Sequence, residues 1–510
     1  MKAAALLQQD FGTVSELVRA QAAEQPHASA LVQDARVLDY AQLDSMMDRV
    51  AAALQRQYLE PGEVVSICAT TSIEYAIVYL GALRAGMMVA PLAPSSTPEQ
   101  LAAMVADCRA TLIFVDQGTA GSLPPEPRRI ALDDASFEAW LAPAGSKPEP
   151  VEVGPEWGFN IIYSSGTTGM PKGIVQPHRM RWQQVQRGTA LACGPGSVTL
   201  LSTPLYSNTT LVTFFMSLAR GACVVLMARF DAKKYLELAQ QHRATHTMLV
   251  PVQYQRIMAL PEFGDYDLSS FRMKLSTSAP FPAALKADVL ARWPGGLTEF
   301  YGMTEGGGTC VLAAHEHPDK LHTVGRPAPG HDIRLIDEQG REVPAGGTGE
   351  VVGRSLTMMR GYFNRPQQTA EAEWFDAEGR RYIRTGDIGR FDEDGFLTLL
   401  DRSKDVIISG GFNVFPSDLE AVLRGHDAVE DAAVVGVPSE RWGETPVAFV
   451  VAASRLDEAQ ILEWANARLG KMQRLAAVRI VERLPRSEIG KVLKRALREQ
   501  WRENPPAPPR

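Results

Sequence analysis

The chain has 510 residues, 45% of them hydrophobic and 22% charged, with 52 Lys and Arg against 59 Asp and Glu for a net charge of −7. That composition excludes a disordered or fibrous protein, and at roughly 150 residues per domain the length asks for about three folding units. A net negative chain has no global cationic field for nucleic acid or an acidic membrane surface, so neither is an expected partner.

The apolar start Ala3–Leu7 is too short for a signal peptide, and Ala76–Leu83 and Leu211–Ala219 end at Arg84 and Arg220. Both runs fall well short of the roughly 20 residues a membrane span needs. Five cysteines (Cys68, Cys108, Cys193, Cys223, Cys310) are scattered singly without a CxxC pair. This argues against a zinc site or a disulfide framework and for a reducing, cytoplasmic location.

In chain order, Val64–Cys68 reads as a strand, Ser72–Ala85 as a helix closed by Gly86, and Met87–Pro91 as the next strand. Thr111–Val115, Phe159–Tyr163, Ala222–Met227 and Thr247–Val250 continue the rhythm, which predicts parallel sheets flanked by helices. From Thr323 the texture changes. Ile333–Ile336, Gly349–Gly353, Tyr382–Ile383 and Phe396–Leu400 are short runs between turns such as Asp337-Glu338-Gln339-Gly340, the pattern of an antiparallel β module. A helix at Pro416–Leu423 and strands near Ala432–Val435 and Val447–Val451 mark a small α+β unit, and Asn504–Arg510, with four prolines, reads as a disordered tail. The expected class is α/β: a large N-terminal domain over 1–400 with parallel-rich sheets, helices and the β module, a linker at 401–405, and a small C-terminal α+β domain at 406–503.

The segment Ser164-Ser165-Gly166-Thr167-Thr168-Gly169-Met170-Pro171-Lys172-Gly173 follows the strand Phe159–Tyr163. It holds three glycines, four hydroxyls, one lysine and no acid. Glycines let backbone N–H groups approach a phosphate, hydroxyls add donors and lysine adds charge. The spacing is not that of a Walker loop, which argues against a P-loop NTPase. His242 and His246 stand four apart, but Arg243 occupies the place where a zinc protease needs Glu. His315-Glu316-His317 lacks a third spaced ligand, and no G-x-S-x-G elbow is present.

The stretch from Tyr163 to Gly173 resembles the signature of the adenylate-forming superfamily: acyl- and aryl-CoA synthetases, peptide-synthetase adenylation domains and luciferase. Leu38–Leu43, Tyr301-Gly302-Met303-Thr304-Glu305, Arg384-Thr385-Gly386-Asp387, Asp401–Asp405 and Gly490-Lys491 resemble further motifs of that family in the same order. The resemblance implies an ATP-dependent carboxylate–CoA ligase, most like an acyl-CoA synthetase, that makes an acyl-adenylate and passes the acyl group to a thiol. ATP, Mg²⁺ and coenzyme A are the implied cofactors, and a small fatty or aromatic carboxylic acid is the substrate. By the same resemblance Lys491 bridges carboxylate and α-phosphate, Glu305 and Thr167 serve the metal, and Thr304 meets the phosphates. Ser164, Ser165, Gly166, Thr168, Gly169 and Lys172 line the phosphate loop. Ser278, Ala279, Pro280, Tyr301, Gly302 and Met303 border the adenine, while Asp387 and Arg402 face the ribose. Lys404 would be the hinge of a mobile C-terminal domain, and Gly410 and Gly411 would open a channel for the thiol arm.

One departure concerns the acid. Pro204-Leu205-Tyr206 is followed by Ser207, where the family commonly carries an aromatic residue and His. Tyr206, Ser207 and Asn208, with polar Thr209 and Thr210 beside them and Gly306 and Gly307 leaving room, predict a roomy pocket for a bulky or oxygenated acid. The segment Gly470–Leu475 lacks the family's proline, so no contact is carried over from it. A carrier-protein thiol as acceptor, and a nucleotide-binding relative without activity, are the alternatives; assembly as a homodimer is left open.

Overall fold

The computed structural model describes residues 1–133, 135–164, 172–402, 405–409, 412–439, 442–470, 473–487 and 490–503. The chain divides into two compact units. The first comprises Met1–Leu321, Pro327–Ile333 and Gly353–Ile383; the second comprises His322–Arg326, Arg334–Val352 and Arg384–Arg510.

In the first unit the strand–helix–strand rhythm appears as read. Val64–Cys68 is a fully buried strand, as expected where helices cover both faces of a parallel sheet. The Ser72 hydroxyl accepts from the Tyr75 N–H and so caps the helix Ile73–Arg84, which ends before Gly86 at φ +77°. The chain then returns as Met88–Pro91, parallel to Val64–Cys68. A seven-stranded sheet runs in the order Gly361–Tyr362, Lys172–Pro177, Gly158–Ser164, Met88–Pro91, Val64–Cys68, Leu112–Val115 and Arg128–Ala131.

The other large sheet contains Gly296–Tyr301, Met273–Ser276, His246–Leu249, Val198–Leu201, Cys223–Leu226 and Ser29–Gln33 as successive neighbours, all parallel. Parallel pairing brings the carboxyl ends Leu201, Leu249, Ser276 and Tyr301 to one edge. The loops after those strands therefore leave on the same side, the usual ligand edge of an open α/β sheet. Two buried cations in this frame are paired. Lys274 donates to the carbonyls of Trp293, Pro294 and Gly295 at 2.9, 2.7 and 2.6 Å, closing the end of the helix Ala283–Arg292. Arg84 joins Asp44 and Asp48 at 2.6 and 2.8 Å.

The second unit carries the small α+β fold. Its sheet runs Phe412–Val414, Ile407–Ser409, Gly443–Ala452 and Val429–Ser439, with Ala477–Val481 parallel to Gly443–Ala452. Side chains alternate with the period of two that a strand imposes. Ala432, Val434, Ala448 and Val450 join Leu419, Leu423 and Ile461 on one face, whereas Ala433, Val435, Val447 and Phe449 meet Leu497 on the other. The strand expected at Tyr382–Ile383 is eleven residues long, Arg381–Phe391. It absorbs Gly386 at φ +69° and a register shift between Ile388 and Gly389, irregularities that hid its length in the pattern. Leu397–Arg402 pairs along Asp387–Phe391, and both segments lie in the second unit.

No helix among the described residues is long and apolar enough to cross a membrane. All five cysteines are free thiols.

His178 begins the helix His178–Arg187, is buried, and stands edge-on to the Phe159 ring at 4.9 Å. Burial alone pulls its imidazole down to about 3. Below the unfolded value of roughly 6.5 the unfolded chain takes up a proton that the folded chain refuses, so stability falls with pH. At pH 5 this group costs about 2 kcal/mol relative to pH 7.5. Urea denaturation of His178→Phe at the two pH values is expected to show a shallower loss than the native chain.

Candidate active site

Two sheets supply the candidate site in the first unit. From one comes the hairpin of Gly158–Ser164 and Lys172–Pro177, with Ser164 paired opposite Lys172. The residues between, including Ser165, Gly166, Thr167, Thr168 and Gly169, lie outside the described residues, as does the Ser164 side chain. Lys172 is placed: its ammonium lies 5.1 Å from the ring centroid of Tyr362. The other sheet sends Tyr301–Glu305, Thr277–Pro280 and Ser202–Asn208 from its carboxyl edge.

Glu305 is buried, and its carboxylate accepts the Tyr362 hydroxyl at 2.9 Å. Its carbonyl accepts the Met359 N–H at 2.7 Å. Burial, then the neighbouring Glu305 charge, pushes the Tyr362 phenol far above its ordinary value, so it keeps the proton that it donates to Glu305. Tyr362 thus touches two residues that the sequence singled out, Lys172 and Glu305, although it lies 57 positions from Glu305. No local pattern marks it, because antiparallel pairing of Gly361–Tyr362 with Ile174–Val175 is what brings it there.

Gln176 donates to the Thr304 carbonyl at 2.7 Å and to Asn208 Oδ1 at 3.3 Å, and Arg181 donates to Asn208 Oδ1 at 2.7 Å. Ser278 sits at φ +82°, a left-handed conformation costing an L-residue roughly 1–2 kcal/mol, and its hydroxyl bonds that of Thr209. Ala279 and Pro280 follow it in the loop after the strand Met273–Ser276, and Gly302 and Met303 follow Tyr301.

The polar groups offered to substrate are largely engaged within the protein: Asn208 by Gln176 and Arg181, Thr209 by Ser278, and Thr210 by Thr203 at 2.7 Å. Buried hydroxyls and amides require partners, and here they find them at home. The Tyr206 hydroxyl is buried with no partner among the described residues. The room assigned to Gly306 and Gly307 is corrected. A Cβ on Gly306 would lie 1.9 Å from the Thr357 carbonyl oxygen, and one on Gly307 would lie 2.6 Å from that of Gly353. These glycines admit neighbouring backbone, which fills the space.

The remaining expected residues belong to the second unit. Asp387 pairs across strands with Arg402, whose side chain lies outside the described residues, and the Asp387 N–H donates to Thr385 Oγ1 at 3.0 Å. Lys491 follows Gly490 at φ +77°, in a turn where its N–H donates to Ser487 Oγ at 3.2 Å and its carbonyl accepts from the Ser487 N–H at 2.8 Å. Lys404, Gly410 and Gly411 lie outside the described residues. His246, weighed in the sequence as a metal ligand, has one ring nitrogen 2.8 Å from Thr245 Oγ1 and the other 2.8 Å from the Leu191 carbonyl.

Chemically, the edge offers a cation (Lys172), a hard carboxylate (Glu305) and a polar loop (Thr304). Among the described residues no three His, Cys, Asp or Glu side chains cluster as a metal cage. A single buried carboxylate suits Mg²⁺, which takes one or two protein oxygens and completes its shell with phosphate and water.

Residues 18–363 match the model of the AMP-binding enzyme family, and residues 418–491 match that of the AMP-binding enzyme C-terminal domain. The chain is 31% identical over 500 residues to the long-chain-fatty-acid–CoA ligase FadD13 of Mycobacterium tuberculosis, covering 95% of this chain and 98% of that protein. It is 32% identical over 497 residues to the fatty acid–[acyl-carrier-protein] ligase ScoC of Streptomyces coeruleorubidus, covering 94% and 95%. ATP-bound MatB from Rhodopseudomonas palustris superposes with a TM-score of 0.86 at 28% identity, covering 96% of this chain and 99% of that one.

Gly306→Ala is expected to destabilise the fold by about 3 kcal/mol or more, combining a backbone clash with a strained φ. Equilibrium urea unfolding measures it, with Gly346→Ala as the comparison: Gly346 shares the positive φ but has nothing within 4 Å of its Cβ position.

Proposed function

The chain belongs to the AMP-binding enzyme family, and from that premise we propose that it is an ATP-dependent carboxylate–CoA ligase. A carboxylate is a poor electrophile because its leaving group would be oxide. In the first half-reaction a carboxylate oxygen attacks the α-phosphorus of ATP and pyrophosphate leaves. In the second, a thiol attacks the acyl carbon and AMP leaves, giving the thioester.

Negative charge grows on the phosphoryl oxygens in the first step, so donors and cations must be aimed there before it occurs. Lys172 and the loop before it bind the phosphates, Thr304 adds a donor, and Lys491 joins the α-phosphate to the carboxylate. Asp387, with Arg402, holds the ribose hydroxyls, and Tyr301 with Ser278-Ala279-Pro280 flanks the base. Glu305, oriented by Tyr362, and Thr167 would hold Mg²⁺, which when bound neutralises phosphate charge. The C-terminal domain, turning about Lys404, brings Lys491 for adenylation and the Gly410-Gly411 face for the thiol. The observation that carries this reading is the placement of Lys172 and Glu305 against one side chain, Tyr362, in a chain matching both family models.

The acid is a fatty or aromatic one. The engaged state of Thr209, Thr210 and Asn208 Oδ1 supports an apolar pocket, and the Tyr206 hydroxyl, without a partner among the described residues, is one donor left for an oxygen on the substrate. The likeness to ScoC favours one second reading, transfer to a carrier-protein thiol.

Pyrophosphate release from ATP and Mg²⁺ with fatty, benzoic, hydroxycinnamic and polycyclic acids is the direct test, repeated with CoA and with a holo carrier protein. Release with no acid of the panel would refute the ligase. Lys491→Ala is expected to slow adenylate formation by about 10²–10³-fold while sparing thioester formation from supplied acyl-adenylate. Equal loss of both steps would contradict its role. Tyr362→Phe is expected to raise the Mg²⁺ concentration needed for tight ATP binding about tenfold, read by calorimetry, because Glu305 loses the bond that orients it.

A further inference from the structure

Arg181, on the helix His178–Arg187, is 1% exposed and makes no ion pair with an acid among the described residues. A buried charge without a counter-charge is costly, so its retention asks for a geometric reason. Its guanidinium carbon lies 5.6 and 5.8 Å from the ring centroids of Phe159 and Phe215. Burial draws its ordinary value down to about 10, which still leaves it protonated at neutral pH.

The reason lies in what the guanidinium can donate. Arginine has five donors and no acceptor, so a carboxamide beside it must turn its oxygen inward. One nitrogen, Nη2, donates to both Gln176 Oε1 and Asn208 Oδ1, and Nη1 donates to Gln184 Oε1 at 2.9 Å. With Oε1 held, Gln176 presents Nε2 to the Thr304 carbonyl at 2.7 Å, next to Glu305. With Oδ1 held, Asn208 has only its Nδ2 donor left to offer, the polarity that suits the oxygen of an incoming carboxylate. A neutral amide or hydroxyl at position 181 would let both carboxamides flip, and a carboxylate would reverse them.

We propose that Arg181 is a positioning residue for adenylation, a pure donor that sets the polarity of Gln176 and Asn208 and thereby anchors the Thr304–Glu305 loop and aims a donor at the acid. This rests on the ligase reading above. The uncompensated charge follows from the requirement for a residue that can only donate.

Asn208→Asp and Gln176→Glu test it, since each gives Arg181 a counter-ion and removes the outward donor. A merely structural role predicts unchanged or higher thermal stability and unchanged kinetics. The positioning role predicts that Asn208→Asp weakens binding of octanoate or ferulate about tenfold or more, by calorimetry and in KM, with little change in kcat. Gln176→Glu should lower kcat for pyrophosphate release about 10- to 100-fold while leaving thioester formation from supplied acyl-adenylate within about threefold. Arg181→Lys, still a pure donor, should recover part of what Arg181→Met loses. Acid affinity and pyrophosphate release within about twofold of native in both carboxylate variants would overturn the proposal. A native protein that binds the acid but releases no pyrophosphate would count against the ligase reading alone, because the binding arm still decides the role of Arg181.

Discussion

Parallel strand pairing is the constraint from which the site follows. Val198–Leu201, His246–Leu249, Met273–Ser276 and Gly296–Tyr301 run the same way, so the loops after them all emerge at one edge. Residues about a hundred positions apart, such as Asn208 and Thr304, thereby come within reach of one glutamine. The Gly158–Ser164 and Lys172–Pro177 hairpin adds that glutamine and Lys172 from a second sheet.

Close backbone approach holds this edge in place. Gly306 and Gly307 adopt positive φ values and lie against the carbonyls of Thr357 and Gly353, and the Glu305 carbonyl takes the Met359 N–H. The Glu305 loop is therefore anchored from its main chain on one side and by Tyr362 and Gln176 on the other. Rigid placement of donors and cations is what an adenylation site needs, since they act best when they need not reorganise as charge develops.

The acid pocket has a different economy of polar groups. Threonines and an asparagine that read as substrate contacts bond one another, Ser278 and Arg181 instead. This follows from burial, because a hydroxyl closed off from water must find a partner whether or not a ligand is present.

The chain by itself determined the α/β class, the short buried strands, the capped helix Ile73–Arg84 and the strands of the C-terminal sheet, because these depend on local propensity and hydrophobic runs. The family resemblance also singled out Lys172, Glu305, Asp387 and Lys491, which stand in short, glycine-punctuated runs. Only the tertiary structure decided that Tyr362 joins Lys172 to Glu305, that Gly306 and Gly307 admit backbone, and that Arg181 sits buried among amides. Those relations span tens of residues and are created by sheet pairing and packing. In one dimension Arg181 is simply an arginine on a polar helix, and its lack of a counter-charge among the described residues becomes visible only once its neighbours in space are known.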